Sequence, residues 1–171
     1  MEKNACDMGN LFSDLEGLRI AIDMEARGRD FYKKASEQAT TKEHKALFLL
    51  LMNEEIEHYN QFSQLYNKTK ENKLADSDDY LFDPESSKYL TVLAEPHIFP
   101  KNKADKAVTE LNSVSAILQA ALQDEKDSIL FYDALAKCAK FEETKQVFNL
   151  LKAEEQTHVV RLREMLNTID A

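Results

Sequence analysis

An internal repeat with a period of one hundred residues constrains the fold of this 171-residue chain more than any other feature. Each half contains a glutamate that is followed, thirty residues later, by a Glu-x-x-His motif. The repeated positions are Glu25, Glu55 and His58 in the first half and Glu125, Glu155 and His158 in the second. Neighbouring residues recur as well: Phe31-Tyr32 as Phe131-Tyr132, and Glu54-Glu55 as Glu154-Glu155. Two copies of one structural unit, packed around an approximate twofold axis, bring such residues together in a single site.

Composition and hydrophobic periodicity predict an all-α protein. The chain has only three Gly and three Pro, which is too little turn chemistry for a β-rich fold. Apolar residues recur at helical spacing in four segments, with capping residues ahead of them. The predicted helices cover about 13–39, 41–70, 112–139 and 142–168. We interpret residues 1–171 as one domain, since this length suits a single core.

The segment of about 71–111, between the second and third helices, differs in composition from the rest. Asp83-Pro84 is typical of a helix start and predicts a short helix over about Pro84 to Ala94, before Pro96 and Pro100. A connection this long can run the full length of a bundle. The short loops then give antiparallel pairs, and the second and third helices run parallel. The prediction is a four-helix bundle with one long crossover.

The charge balance and the absence of long apolar runs exclude several classes of partner. The 31 acidic residues outnumber the 22 basic ones and give a formal net charge of -9, which disfavours nucleic-acid binding. The run Leu47 to Met52 is too short to cross a bilayer, and the first ten residues lack the apolar core of a signal peptide. The two cysteines form no Cys-x-x-Cys pair. We therefore expect a soluble, cytoplasmic protein without a nucleic-acid or membrane partner.

The six repeated residues predict a site for two metal ions. Residues three apart on a helix share one face, so each Glu-x-x-His motif offers an oxygen and a nitrogen to one cation. Glu25 and Glu125 have core periodicity, and an unpaired buried carboxylate is costly. Four carboxylates balance two divalent ions, and an oxide bridge restores the balance when both ions become trivalent. This donor set suits iron or manganese better than zinc, which prefers four tetrahedral ligands.

Residues beside the six allow two interpretations. Tyr32 and Tyr132 follow a ligand glutamate by two helical turns, so each hydroxyl either approaches the metal from outside its ligands or belongs to an ordinary core aromatic. Gly28 and Ser128, one turn after these glutamates, either permit close packing or open a cavity where peroxide or dioxygen binds. The other glutamates of the two motifs are interpreted as solvated side chains and not as ligands: Glu54, Glu57 and Glu154.

These residues resemble those of the ferritin-like superfamily, specifically the rubrerythrin-like proteins, over about Leu11 to Leu166. The ligand pattern is the most specific part, and the crossover is also similar at Tyr89-Leu90, Leu93-Ala94-Glu95 and Ile98-Phe99-Pro100. The resemblance implies a ferritin-like four-helix bundle holding two iron ions in an Fe-O-Fe centre, for which manganese or zinc can substitute. It also implies bridging roles for Glu55 and Glu155, terminal roles for Glu25 and Glu125, and one nitrogen for each iron from His58 and His158.

Two departures from the family pattern affect the expected activity. Ser128 stands where rubrerythrins bear a further carboxylate, so the ligand set is closer to that of bacterioferritin. The chain has no rubredoxin module with Cys-x-x-Cys ligands, so electrons must come from an external donor such as a rubredoxin-like protein. The resemblance implies an oxidoreductase, expected as a homodimer, that reduces hydrogen peroxide or dioxygen. The alternatives are a ferroxidase that handles iron, and a structural or regulatory bundle that binds redox-silent zinc.

Overall fold

The computed structural model describes residues 13–75 and 113–169, with side chains for 13–72 and 113–169. It contains four helices: α1 (Asp14–Gln38), α2 (Lys42–Ala75), α3 (Val114–Cys138) and α4 (Glu142–Ile169). Neither described segment contains a strand, which confirms the all-α prediction. The predicted short helix over Pro84 to Ala94, and nearly all of the predicted crossover, lie outside the described residues. No helix in the described segments is long and apolar enough to cross a membrane.

The first helix of each half begins at a serine cap. Ser13 and Ser113 have extended backbone conformations, and each hydroxyl accepts a hydrogen bond from the backbone N–H three residues later. The distances are 3.3 Å from Glu16 and 3.1 Å from Ala116. Because the first-turn amides of a helix have no carbonyl partner within the helix, these caps fix where α1 and α3 start.

The second helix of each half begins differently in the two copies of the repeat. At the start of α2, the Thr41 hydroxyl accepts a hydrogen bond from the amide of His44 at 3.1 Å. Before α4, the carboxylate of Asp14 accepts hydrogen bonds from the amides of Lys140 and Phe141, both at 2.9 Å. Asp14 lies on α1 and is buried, so it ties the start of α1 to the start of α4.

Contacts between side chains give the direction of each helix. In the first pair, Glu25 contacts His58 while Tyr32 stacks on Phe48, so a later residue of α1 meets an earlier residue of α2. The same reversed order relates α3 to α4, α1 to α3, and α2 to α4. Between α3 and α4, Glu125 contacts His158 and Asp133 contacts Lys152. Between α1 and α3, Tyr32 contacts Glu125 and Tyr132 contacts Glu25. Between α2 and α4, Glu54 contacts Arg161 and Lys68 contacts Glu143. All four pairs are therefore antiparallel, and α2 and α3 run parallel.

A single hydrophobic core lies between the four helices. Aromatic rings from three of them meet there: Phe62 lies 5.4 Å from both Tyr132 and Phe148, measured between ring centroids. At one end of the bundle, a Cβ atom at Gly17 would lie 3.2 Å from the Leu135 side chain, so the glycine permits close approach of α1 to α3. This packing fixes the relative positions of the polar groups that the core encloses.

Candidate metal centre

The six repeated residues converge in the middle of the bundle. None exposes more than 2% of its surface: Glu25, Glu55, His58, Glu125, Glu155 and His158. Their oxygen and nitrogen atoms form two groups, and the ligand atoms within each group lie within 4.8 Å of one another. We call these the His58 group (Glu25, Glu55, His58 and Glu155) and the His158 group (Glu55, Glu125, Glu155 and His158). Because Glu55 and Glu155 belong to both groups, they lie where two adjacent cations would share ligands.

Each of the six side chains has a buried polar atom that makes no well-aligned hydrogen bond with the described residues. These atoms are Glu25 Oε2, Glu55 Oε1, His58 Nδ1, Glu125 Oε2, Glu155 Oε2 and His158 Nδ1. Unsatisfied polar atoms are rare in protein interiors, because each costs a lost interaction with water. Four carboxylates and two imidazoles are suitable ligands for iron or manganese. The residues therefore fit a centre of two cations.

Both histidines direct the same ring nitrogen toward the carboxylates. His58 Nδ1 lies 3.1 Å from Glu155 Oε1 and 3.4 Å from Glu25 Oε2. His158 Nδ1 lies 2.7 Å from Glu155 Oε2 and 3.4 Å from Glu125 Oε1. The two rings are nearly parallel, with centroids 5.5 Å apart. Each histidine can therefore supply Nδ1 to a different cation.

The other nitrogen of each histidine contacts a glutamate of the opposite half. His58 Nε2 lies 2.8 Å from Glu154 Oε2, and His158 Nε2 lies 3.1 Å from Glu54 Oε2. The interpretation of these two glutamates as merely solvated is therefore incomplete, because each is only part-exposed and is a partner of a histidine. Arg161 Nη1 also contacts Glu54 Oε2, at 2.5 Å. The contact with His158, helped by Arg161 and opposed by partial burial, lowers the pKa of Glu54 to about 2.

Two buried tyrosines donate hydrogen bonds to Glu25 and Glu125. The Tyr32 hydroxyl donates to Glu125 Oε1, and the Tyr132 hydroxyl donates to Glu25 Oε1. Each tyrosine thus donates to Glu125 or Glu25 of the opposite half, and not to the glutamate two turns earlier on its own helix. Burial, reinforced by the nearby carboxylates, raises the pKa of both hydroxyls well above its usual value. The tyrosines therefore remain protonated donors.

Without bound cations, the carboxylates and imidazoles share protons. Burial, together with the neighbouring charge of Glu25, raises the pKa of Glu55 far above its usual value. Burial and the charge of Glu155 raise the pKa of Glu125 to about 8. Burial opposes a charge on His58, but the contacts with Glu155 and Glu25 outweigh it and raise its pKa to about 11. His158 is shifted in the same direction, and its positive charge keeps the pKa of Glu155 low despite burial.

A narrow cavity borders the cluster. It is lined by Met24, Glu25, Glu55, Ser128, Tyr132 and Glu155. Ser128 is among these lining residues, and the small size of the space shows close packing at this position. Gly28 is buried but is not among the lining residues. The free space does not admit a water-sized sphere, so a small oxidant needs side-chain movement to reach the carboxylates.

Comparison with known proteins identifies the family. The family model described as Rubrerythrin matches residues 16–96 and 116–171, which is most of the chain. The chain belongs to the rubrerythrin family. The match confirms the predicted ferritin-like four-helix bundle. No curated protein matches this chain.

A solved structure of a hypothetical protein from Pyrococcus furiosus supports the fold of this rubrerythrin-family chain. The TM-score is 0.63 at 22% sequence identity, and the alignment covers 91% of this chain and 89% of the other. At this identity the likeness shows the fold alone.

Sequence reasoning missed the role of Glu54 and Glu154 in this rubrerythrin-family site. A signal was present, because both glutamates are repeated at the same offset from a histidine in the two halves. Spacing along one helix places each of them one residue before Glu55 or Glu155, off the face that carries these two glutamates. The facing helix, which spacing along one helix does not reveal, supplies their histidine partners.

Proposed function

We propose that this chain is a di-iron oxidoreductase that reduces hydrogen peroxide or dioxygen with electrons from an external donor. The observation that carries the proposal is the sharing of Glu55 and Glu155 between two buried four-residue groups. This arrangement suits two cations at close range, and the rubrerythrin family binds iron. The proposal names iron because four carboxylates and two imidazoles can hold it in both of its common oxidation states.

Two ferrous ions held in these groups would supply the two electrons that one peroxide molecule needs. Hydrogen peroxide accepts two electrons and two protons, its O–O bond breaks, and two water molecules form. An external donor would have to supply two electrons for the next cycle. Dioxygen would need four electrons for the same end product, and therefore two such cycles.

The chain's own residues hold and orient the reacting centre. Glu25 and Glu125 each bind one cation and are fixed by a tyrosine hydroxyl from the opposite half. His58 and His158 each turn Nδ1 inward, because Nε2 contacts an outer carboxylate. The surrounding aromatic core keeps bulk water away and strengthens every electrostatic contact within the site.

The test is a comparison of oxidants on the protein loaded anaerobically with two ferrous ions. We expect rapid-mixing absorbance to show faster oxidation by hydrogen peroxide than by dioxygen, followed by re-reduction on addition of a rubredoxin-like donor. Glu57→Gln is a matched control, because Glu57 is exposed on the same helix as Glu55 and should leave both rates unchanged. Failure of the diferrous protein to react with either oxidant would contradict the proposal.

A ferroxidase is the second candidate, and Ser128 favours it. With serine at this position, the site has three ligand residues from each half and no further carboxylate on α3 one turn beyond Glu125. A ferroxidase reacts with dioxygen over many turnovers when excess ferrous ion is supplied, and releases or stores the ferric product. Faster reaction with dioxygen, together with uptake of many irons by each chain, would select this function instead.

A further inference from the structure

The two groups contain equivalent ligand residues, and their surroundings outside the ligand set differ. Each contains one terminal glutamate, the shared Glu55 and Glu155, and one histidine that presents Nδ1. Both terminal glutamates accept a hydrogen bond from a buried tyrosine. The types of ligand residue and of tyrosine partner are thus the same in the two groups, although Glu155 contacts Nδ1 of both histidines.

The two groups differ in the contacts of the outer glutamate that faces each histidine. His58 Nε2 lies 2.8 Å from Glu154 Oε2. His158 Nε2 lies 3.1 Å from Glu54 Oε2, and the same oxygen is 2.5 Å from Arg161 Nη1. Within the described segments, Glu154 Oε2 therefore contacts a histidine alone, whereas Glu54 Oε2 contacts both a histidine and an arginine.

The sequence explains this difference. The position that corresponds to Arg161 in the first half is Gln61, which carries no charge. Within residues 13–72 and 113–169, the one ion-pair partner of Glu154 is His58. The two outer glutamates are both part-exposed, at 42% for Glu154 and 27% for Glu54, so water screens both of them. Of these two outer glutamates, Glu54 contacts the guanidinium of Arg161.

A carboxylate that accepts a proton-bearing ring nitrogen makes the other ring nitrogen a better metal ligand. Arg161 competes for the accepting oxygen and neutralises part of its charge, because guanidinium–carboxylate hydrogen bonds are among the stronger ones. Through this outer contact, Arg161 weakens His158 as a metal ligand. A guanidinium close to the His158 group also repels a cation bound there.

We propose that the chain fills its two metal positions in a fixed order, the His58 group first, and that Arg161 sets this order through Glu54. The inference rests on the proposed two-metal centre. Arg161 is a positioning residue, since it acts through Glu54 and His158 and not on the metal itself. The resulting pair of cations is unequal although its ligands are equivalent.

A titration with Zn²⁺, followed by NMR of histidine-labelled protein, tests the order without any redox reaction. The ring signals are assigned with His58→Asn and His158→Asn. We expect the His58 signals to shift during the first equivalent of zinc and the His158 signals during the second. Simultaneous shifts, or prior shifts of His158, would overturn the inference. Two bound zinc ions without order would leave the proposed two-metal centre standing, whereas absence of zinc binding would overturn both.

Exchanging the outer residues between the halves provides the decisive variants. Arg161→Gln should raise the affinity of the second binding step by about tenfold, the lower end of what such outer contacts contribute. The double variant Gln61→Arg with Arg161→Gln should reverse the order of filling. Arg163→Gln, which removes the same charge from an exposed position on α4, should leave the order unchanged. An unreversed order in the double variant would contradict the role of Arg161.

Discussion

Glu55 and Glu155 are the residues on which the proposed two-metal centre depends most, because they belong to both groups. Glu55→Gln keeps the shape of the side chain but removes its negative charge and replaces one of its two oxygens with an amide nitrogen, which is not a metal ligand. We expect the metal content after loading with Mn²⁺ or Fe²⁺ to fall from about two ions to fewer than one for each chain. Glu57→Gln, on the exposed face of the same helix, should retain both ions by elemental analysis. Two ions retained by Glu55→Gln would remove this residue from the ligand set.

The tyrosine hydroxyls should control the affinity of one metal position each. Tyr32→Phe removes the donor to Glu125, which is a ligand in the His158 group alone. Because outer contacts of this kind contribute roughly 10- to 100-fold to metal affinity, we expect one binding step to weaken by that factor in calorimetry. Tyr66→Phe is the control, since Tyr66 is a half-buried tyrosine of α2 outside the cluster. An equal loss in both variants would mean that packing, and not the hydrogen bond, is responsible.

The candidate site could be predicted from the sequence as far as spacing along single helices determines it. The Glu-x-x-His motifs and the period of one hundred identified the six residues that the fold brings together. The pairing of Tyr32 with Glu125, and of Glu54 with His158, could not be read in this way. These contacts depend on the axial offset between facing helices. Side-chain spacing within one helix contains no information about this offset.

At the scale of the elements, Asp14 is the residue that joins two helix starts. Its buried carboxylate accepts hydrogen bonds from the amides of Lys140 and Phe141 just before α4. We expect Asp14→Ala to reduce the free energy of unfolding by about 1.5–3 kcal/mol, the range for hydrogen bonds to a charged group. Urea denaturation measures this loss, and Asp23→Ala at an exposed position of α1 should cost less than about 0.5 kcal/mol. A similar loss in both variants would contradict the capping role.

Helix starts were easier to predict than other boundaries because capping residues mark them. Ser13 and Ser113 cap α1 and α3 by contacts within a few residues. The helix α2 continues through Ala75, beyond the predicted Lys70, in a stretch without glycine or proline, so no local feature stops the helix at Lys70. The cap at the start of α4 comes from Asp14 on α1. No sequence pattern near the start of α4 predicts this contact.

At the scale of the whole molecule, the bundle encloses charged groups that need either cations or protons. The four glutamates and two histidines of the cluster lie within its core, and the formal net charge of the chain is already -9. In the proposed centre, bound metal ions would supply the missing positive charge, and protons would replace them when the metal is removed. Folding, metal binding and protonation would then be linked in this protein.

This linkage predicts how the stability of the metal-free protein depends on pH. The folded state raises the pKa of Glu125 from 4.5 to about 8 and that of His58 from 6.5 to about 11. A raised pKa contributes stability that is complete below the unfolded value and is lost as the pH rises through the folded value. Both windows include the interval from pH 6.5 to 8, so we expect the free energy of unfolding to fall across it by about 1–3 kcal/mol.

Urea denaturation at several pH values, with a chelator present, measures this fall. In protein saturated with Mn²⁺, the cations replace the protons, so the stability should not decline over the same interval. The opposite slope belongs to the acid side: below about pH 5, protons compete with the metal for the carboxylates, and the loaded protein should lose its ions. Metal-free protein whose stability stays constant or rises between pH 6.5 and 8 would show that these carboxylates and imidazoles do not retain protons in the folded core.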